Sequence, residues 1–240
     1  MYPEVNARQA RPRRLLHLAA QAALVSSLFG SAMPAQAGPP RSAPQRAVPL
    51  APAAPLAPAA PAHDQAGGAV TFSAGWLYTC AMRNGALLCV GANNYGQLGD
   101  GTTVDRTTPV TVTGMVSSVT AVSAGSHNAC AIRNGALLCW GWNYYGQLGD
   151  GTTINRTTPV SVTGMSAGVT AVSAGFGHTC AIRNGALLCW GANYSGQLGV
   201  TASSATPVTV TGMSTGVTAF SAGGSHTCAI RNGALLCWGG

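Results

Sequence analysis

The 240-residue sequence predicts an all-β protein built as an array of small, repeated four-stranded sheets. Three observations carry that expectation. One word occurs four times: a cysteine, eight residues with Asn-Gly at their centre, and a second cysteine. The word returns with a period of 48 to 50 residues, as the positions Cys80, Cys130, Cys180 and Cys228 show. Between copies there is no helical period, only short runs rich in Val, Thr and Ala bounded by glycines. A fixed period of this size marks stacked supersecondary units, and runs of this kind read as strands.

Taken in order, residues 1–37 read as a secretory signal peptide. Arg8, Arg11, Arg13 and Arg14 form a basic start, an apolar stretch runs from Leu15 to about Met33, and Ala35-Gln36-Ala37 is an A-x-A cleavage site. His17, Gln21, Ser26 and Ser27 interrupt the stretch, so it makes a poor membrane-spanning helix. Arg13-Arg14 before two leucines resembles a twin-arginine signal, which leaves the export route open. The expected mature protein starts near Gly38 and is secreted, periplasmic or held at the cell surface. Residues 38–69 form a Pro/Ala-rich spacer that cannot build a core. Pro49, Pro52, Pro55, Pro58 and Pro61 recur every third residue. This is the period of polyproline II, and the stretch would make a semi-rigid rod of roughly 40 Å.

The formal charge is +7, but cleavage removes four arginines and Glu4. Eight arginines, no lysine and four aspartates (Asp64, Asp100, Asp105, Asp150) remain. That balance is only mildly basic and lacks the dense patch of a nucleic-acid binder. Charged residues make up 7% of the chain, so its surface must be built mainly from Ser, Thr, Asn, Gly and Gln.

The repeats are expected at 70–115, 116–165, 166–213 and, in part, 214–240. Their centre is the Asn-Gly word, at 84–85, 134–135, 184–185 and 232–233. Asn-Gly is the strongest short signal for a two-residue type I′ hairpin, because both positions need φ > 0. Opposed residues in such a hairpin have numbers of constant sum. Arg83 then faces Ala86, Met82 faces Leu87, Ala81 faces Leu88, and Cys80 faces Cys89. The same rule pairs Cys130 with Cys139, Cys180 with Cys189 and Cys228 with Cys237. These pairs fall at non-hydrogen-bonded sites, where Cα atoms approach to about 4.5 Å, within disulfide reach. Each link would stabilise by roughly 2–3 kcal/mol. Buried free thiols, and zinc held with His178 and His226, are the alternatives. Eight intervening residues do not make the knuckle zinc prefers, and an oxidising compartment favours disulfides.

Each unit carries four strand signals. In the third, V-T-A-V-S-A-G precedes F-G-H-T-C-A-I-R, then A-L-L-C-W-G, a loop A-N-Y-S-G-Q-L-G, and T-P-V-T-V-T-G. Ile182 and Leu187 share a face with the cysteines, while Ala181, Leu188 and Trp190 lie on the other. Both faces are apolar, so both should be covered. A sheet held between two neighbours meets that demand, and a β-propeller blade is such a sheet.

The string S-A-G-x-x-H-T-C-A-I-R-N-G-A-L-L-C-W-G-x-N-x-x-G-Q-L-G, with G-D-G-T-T in two copies, resembles the regulator of chromosome condensation repeat over residues 70–240. The resemblance implies a β-propeller, usually of seven blades, and the paired cysteines are similar to those of exported bacterial members. The first copy departs at Trp76, Tyr78 and Val90, and in the second His127 stands one place early, which turns it to the other face. Three full units and a partial fourth are too few for such a ring. A truncated chain, an open arc with adjusted ends, or a homodimer completing one ring would each account for the count.

Signals for chemistry are few. Four aspartates and no mature glutamate leave little for paired-carboxylate catalysis, and no G-x-S-x-G elbow is present. Ser126-His127 and Ser225-His226 are adjacent pairs, not triads. His178 and His226 read as packing residues that satisfy backbone groups. Asp100 to Asp105 could offer oxygens to calcium, but Asn155 replaces the second carboxylate in the next copy and the third has lost Asp-Gly. A glycine turn explains the loop more simply. No catalysis, cofactor or metal is therefore expected. Two sets of binding candidates remain. Arg83, Arg133, Arg183 and Arg231 mark the hairpin tips. Tyr95, Trp142, Tyr144, Tyr145 and Tyr194 sit on glycine-rich loops, where aromatics often anchor interfaces. The expected function is an exported, disulfide-linked binding or scaffold module for a protein or glycan at the cell surface or in the medium. The resemblance implies an outline similar to a propeller-type β-lactamase inhibitory protein. A secreted propeller hydrolase or lyase is the alternative. Guanine-nucleotide exchange, the founding member's activity, fits poorly with export and a short array.

Overall fold

A computed structural model describes residues 71–240; the stretches expected to be a signal peptide (1–37) and a spacer (38–69) lie outside the described residues. Fifteen strands form four antiparallel sheets among the described residues. The first sheet is β1 (Thr71–Ala74), β2 (Tyr78–Arg83), β3 (Ala86–Gly91) and β4 (Arg106–Thr111). The second is β5 (Val119–Ala124), β6 (Asn128–Arg133), β7 (Ala136–Gly141) and β8 (Arg156–Ser161). The third is β9 (Val169–Ala174), β10 (His178–Arg183), β11 (Ala186–Gly191) and β12 (Ser204–Thr209). The last has three strands, β13 (Val217–Ala222), β14 (His226–Arg231) and β15 (Ala234–Gly239). Within each sheet the strands pair in chain order, as a meander.

The turn dictates the register. Asn84, Asn134, Asn184 and Asn232 have φ of 50–52°, and the glycines that follow are also left-handed. Both turn positions thus adopt the conformation a type I′ hairpin requires. Cys80 is then opposite Cys89, Met82 opposite Leu87 and Arg83 opposite Ala86, and the other three hairpins repeat this pairing. All four pairs are disulfides, with Cα atoms 4.1 Å apart. The S–S bond draws the strands slightly closer than the about 4.5 Å of an ordinary non-hydrogen-bonded pair. No free cysteine remains among the described residues.

The sheets stack face to face, and the core lies between them. Cys130, Ile132, Leu137 and Cys139 on the disulfide face of one hairpin meet Ala181 and Trp190 on the opposite face of the next. The same junction joins Cys180, Ile182, Leu187 and Cys189 to Ala229 and Trp238. The first junction brings Cys80, Met82, Leu87 and Cys89 against Ala129, Ala131 and Trp140. Each cluster also takes a Leu from a Gln-Leu-Gly loop and a Met from the connection to the next sheet: Leu98 with Met115, Leu148 with Met165, and Leu198 with Met213.

Polar groups align one sheet with the next. The hydroxyls of Ser73, Ser123 and Ser173 accept from the backbone N–H of Ala124, Ala174 and Ala222, each at 2.9 Å. These latches join the first strands of successive sheets. Trp140, Trp190 and Trp238 donate their indole N–H to the carbonyls of Gln97, Gln147 and Gln197 at 2.9–3.0 Å. Gly149 makes the second junction possible: its φ is +73°, and a Cβ there would lie 2.6 Å from the Trp190 indole nitrogen. The described sheets form an open arc of a propeller. On the last sheet Ile230 and Leu235 are 37% and 69% exposed, although their counterparts Ile182 and Leu187 are buried. No described strand pairs with the outer side of β15.

Candidate functional site

Each sheet presents two ends. The Asn-Gly turns and the connections between sheets occupy one. The β1–β2 and β3–β4 connections and their counterparts occupy the other. The two sets of binding candidates are therefore separated by the length of the strands.

At the tip end, Arg183 Nε donates to the carbonyl of Ala167 at 3.2 Å, and Arg231 Nε donates to Thr215 at 3.1 Å. Both acceptors lie in the connection that enters the arginine's own sheet. These two side chains brace that connection. Arg133 is half-buried and Arg83 exposed at the matching positions.

At the opposite end the loop aromatics form one continuous cluster. From Trp76 to His127, Trp142, Tyr145 and Tyr194 the ring centroids step by 5.8, 6.0, 5.3 and 5.7 Å. Tyr95 meets both His127 and Trp142, Tyr144 stacks on Trp142 at 10°, and Phe176 meets Trp76 and Trp142. The other contacts are all tilted or edge-on. Tyr194, Tyr144 and Trp76 are 80%, 67% and 55% exposed. Beside this rim is a shallow depression at the mouth of the arc's axis. Gly75, Gly125, Gly175 and Gly223 line it, with the rings of Trp76 and Phe176 at its edge.

The loops that carry the aromatics are held rigidly from below. Asn93 is fully buried. Its side-chain amide donates to the carbonyls of Thr102 and Val104 at 3.0 and 3.1 Å, and its Oδ1 accepts from Leu98 N–H at 2.9 Å. Asn143 and Asn193 serve their own loops similarly. Gln97 and Gln147 accept the backbone N–H of Tyr95 and Tyr145 at 3.0 and 2.9 Å. The Gln in the Gln-Leu-Gly motif thus fixes the aromatic turn with its side chain and the next sheet with its carbonyl.

The aspartates belong to this scaffold. Asp100 accepts from Thr102, Arg106 and Asn93, and Asp150 repeats the arrangement with Thr152, Arg156 and Asn143. Burial opposes their ionisation, but these hydrogen bonds outweigh it and hold both carboxyls below their ordinary range. Asp105 accepts the N–H of Asn93, and Asn155 and Ser203 do the same for Asn143 and Asn193. The position needs an acceptor oxygen, not a charge, which explains its drift through Asp, Asn and Ser. Among the described residues no group of three or more His, Cys, Asp or Glu is placed to hold a metal ion.

The histidines divide by register. His178 is buried, and its Nε2 lies 2.9 Å from the Thr227 hydroxyl of the next sheet. His178 and His226 were both expected to be packing residues that satisfy backbone groups; His178 pairs with a side chain instead, because stacking brings that hydroxyl to its Nε2, and His226, on the uncovered last sheet, is exposed. Burial, with His226 nearby, lowers the pKa of His178 to about 4. Asn128 occupies the equivalent position in the second sheet, and Tyr78 donates its hydroxyl to the Asn128 carbonyl. His127, one place early, joins the rim, where burial lowers its pKa and Ser126 Oγ lies 2.7 Å from its Nδ1. Three rim members were not among the sequence candidates: Trp76, His127 and Phe176. A usable signal existed, since Trp76 and Phe176 both stand four residues before their cysteines in a loop.

Models of the regulator of chromosome condensation (RCC1) repeat match residues 84–132, 134–182 and 184–230, and a second model of that repeat matches 119–147 and 169–197. The 84–132 match begins at an Asn-Gly turn, so it takes β3 and β4 from one sheet and β5 and most of β6 from the next. Human WBSCR16 has a similar solved structure, with a TM-score of 0.62 and 21% identity over 70% of this chain and 46% of that one. Yeast RCC1 (Prp20), solved bound to Kap60, gives 0.60 and 17% over 70% of this chain and 43% of that one. Prp20p from Saccharomyces cerevisiae in a further structure gives 0.59 and 18%, over 70% and 44%. The chain thus spans less than half the length of these structures. Comparison with curated proteins gave no match. Repeat matches, sheet topology and solved propellers agree: the chain belongs to the regulator of chromosome condensation (RCC1) repeat family.

Proposed function

We propose that this chain is an exported, disulfide-linked binding or scaffold module that engages a protein or glycan through its aromatic rim. The observation that carries this reading is the rim itself. Three repeats contribute eight rings to one surface, and several of the rings face solvent. Exposed aromatic clusters of this size mark interaction sites, and Tyr and Trp supply large contact area at small entropic cost. The Asn and Gln side chains beneath fix the loops before any partner arrives, which reduces the ordering cost of binding. Export is supported by the signal-like N-terminus and by four disulfides, a feature of oxidising compartments. Among the described residues no helix is long and apolar enough to cross a membrane.

The test immobilises the mature chain and measures capture of proteins and glycans from the producing culture's medium and cell surface. Tyr144→Ala with Tyr194→Ala should weaken capture at least about tenfold, since exposed aromatic anchors carry most interface energy. Alanine at the four tip arginines should leave it unchanged. Capture that ignores the tyrosines and follows the arginines would move the site to the other end.

A further inference from the structure

The rim has a ligand chemistry that the chain's own sequence supplies. Its rings meet mainly edge-on or tilted, so they do not form one flat stacked platform. The eight rings carry no carboxylate, ammonium or guanidinium. The contacts that link Trp76 to Tyr194, each 5.3 to 6.0 Å between centroids, span at most about two turns of polyproline II, each roughly 9 Å. Aromatic-lined clefts recognise this conformation because its ordering cost is already low and its carbonyls are free to accept. The indole N–H groups and tyrosine hydroxyls on the rim are donors of the right kind.

Residues 49–61 carry proline at every third position and no charged side chain. Their distance along the chain also suits the rim. Thr71 pairs with Met82 beside the Asn-Gly turn, so the first described strand begins at the end away from the aromatics. The climb to the rim is one strand, about 20 Å at roughly 3.3 Å per residue. Ten chain steps separate Pro61 from Thr71, a reach of about 33 Å.

Resting on the reading of the rim as a binding surface, we propose that it is a receptor for polyproline II segments and that its occupant is this chain's own stretch 49–61. An external partner must then displace the tethered segment. Joined by so short a link, that segment competes at an effective concentration in the millimolar range.

The experiment compares three forms of the full mature chain. They are the wild type, a spacer variant (Pro52→Ala, Pro55→Ala, Pro58→Ala) and a rim variant (Tyr144→Ala, Tyr194→Ala). A synthetic peptide of residues 48–62 is titrated into each and followed by tryptophan fluorescence. The rim variant truncates only strongly exposed side chains, and its disulfides and far-ultraviolet spectrum check the fold. The peptide should bind the spacer variant, and bind the wild type at least about tenfold more weakly because the tethered copy occupies the rim. It should also bind the rim variant at least about tenfold more weakly. Equal binding to wild type and spacer variant, undiminished binding to the rim variant, or binding to none overturns the proposal. Peptide-sensitive self-association of the wild type would place the occupant on a second copy and overturn the in-chain assignment. If the peptide fails while a neutral oligosaccharide or captured protein still needs Tyr144 and Tyr194, this proposal falls and the binding-module reading stands.

Discussion

Replacing Cys180 and Cys189 together by alanine tests whether the disulfides act as staples within a hairpin or also as packing between sheets. The two residues are nine apart, and closing a loop of that length stabilises by about 2.6 kcal/mol in the chain-entropy model. A second contribution comes from position. Both sulfurs are fully buried in the junction that holds Ala229, Phe220 and Trp238. Removing them leaves a void the neighbouring sheet cannot fully close, costing about 1–2 kcal/mol more. The expected loss is therefore about 4 kcal/mol. The pair Cys228 and Cys237 provides the control. Its loop has the same length, but no described sheet covers its face, so its loss should stay near the entropic value. Urea unfolding followed by tryptophan fluorescence measures both. Hydrogen exchange locates the opening, which matters because repeat arrays need not unfold as one unit. Equal losses for the two pairs, or an internal loss below about 1 kcal/mol, would refute the packing argument.

The other expectations concern the polar network. Trp190→Phe removes the indole donor to Gln147 while Thr179 still serves that carbonyl, so stability should fall by about 1–2 kcal/mol in the same urea assay. His178 has a folded pKa of about 4 against about 6.5 when unfolded, so the unfolded state binds the extra proton first. Its contribution is complete above pH 6.5 and is lost as pH falls towards 4, by up to about 3 kcal/mol. His178→Asn, which copies the residue at position 128, should flatten thermal stability across that window. Asp100 and Asp150 have depressed folded pKa values, so their contribution is present above the unfolded carboxylate pKa and lost as pH falls through the folded one. Asp100→Asn with Asp150→Asn should therefore reduce the acid dependence of Tm below about pH 4. An unchanged acid limb would show that other groups govern it.

Local order was legible because it is written locally. Asn-Gly demands one turn type, that turn dictates the register, and the register decides which cysteines meet. The alternation of Ile182 with Ala181, and of Leu187 with Leu188, correctly assigned each side chain to one of two covered faces. The fifty-residue period then implied stacking. What the sequence could not assign was the partner of each side chain across a junction. Trp190 reads as an apolar residue in a strand, and only stacking shows that its indole closes on a carbonyl 43 residues earlier.

The candidate site divides in the same way. That an arginine marks each hairpin tip and that each of the three complete loops carries at least one aromatic was plain from the chain, as was the displacement of His127. That the two sets lie at opposite ends follows from strand direction once the hairpin is accepted. The union of Trp76, His127, Trp142 and Tyr194 into one surface required the tertiary structure, because residues from separate repeats meet only when the sheets stack. Periodicity and turn chemistry act over a few residues and therefore survive in one dimension. A surface shared by neighbouring sheets depends on their relative rotation, which packing between the sheets decides.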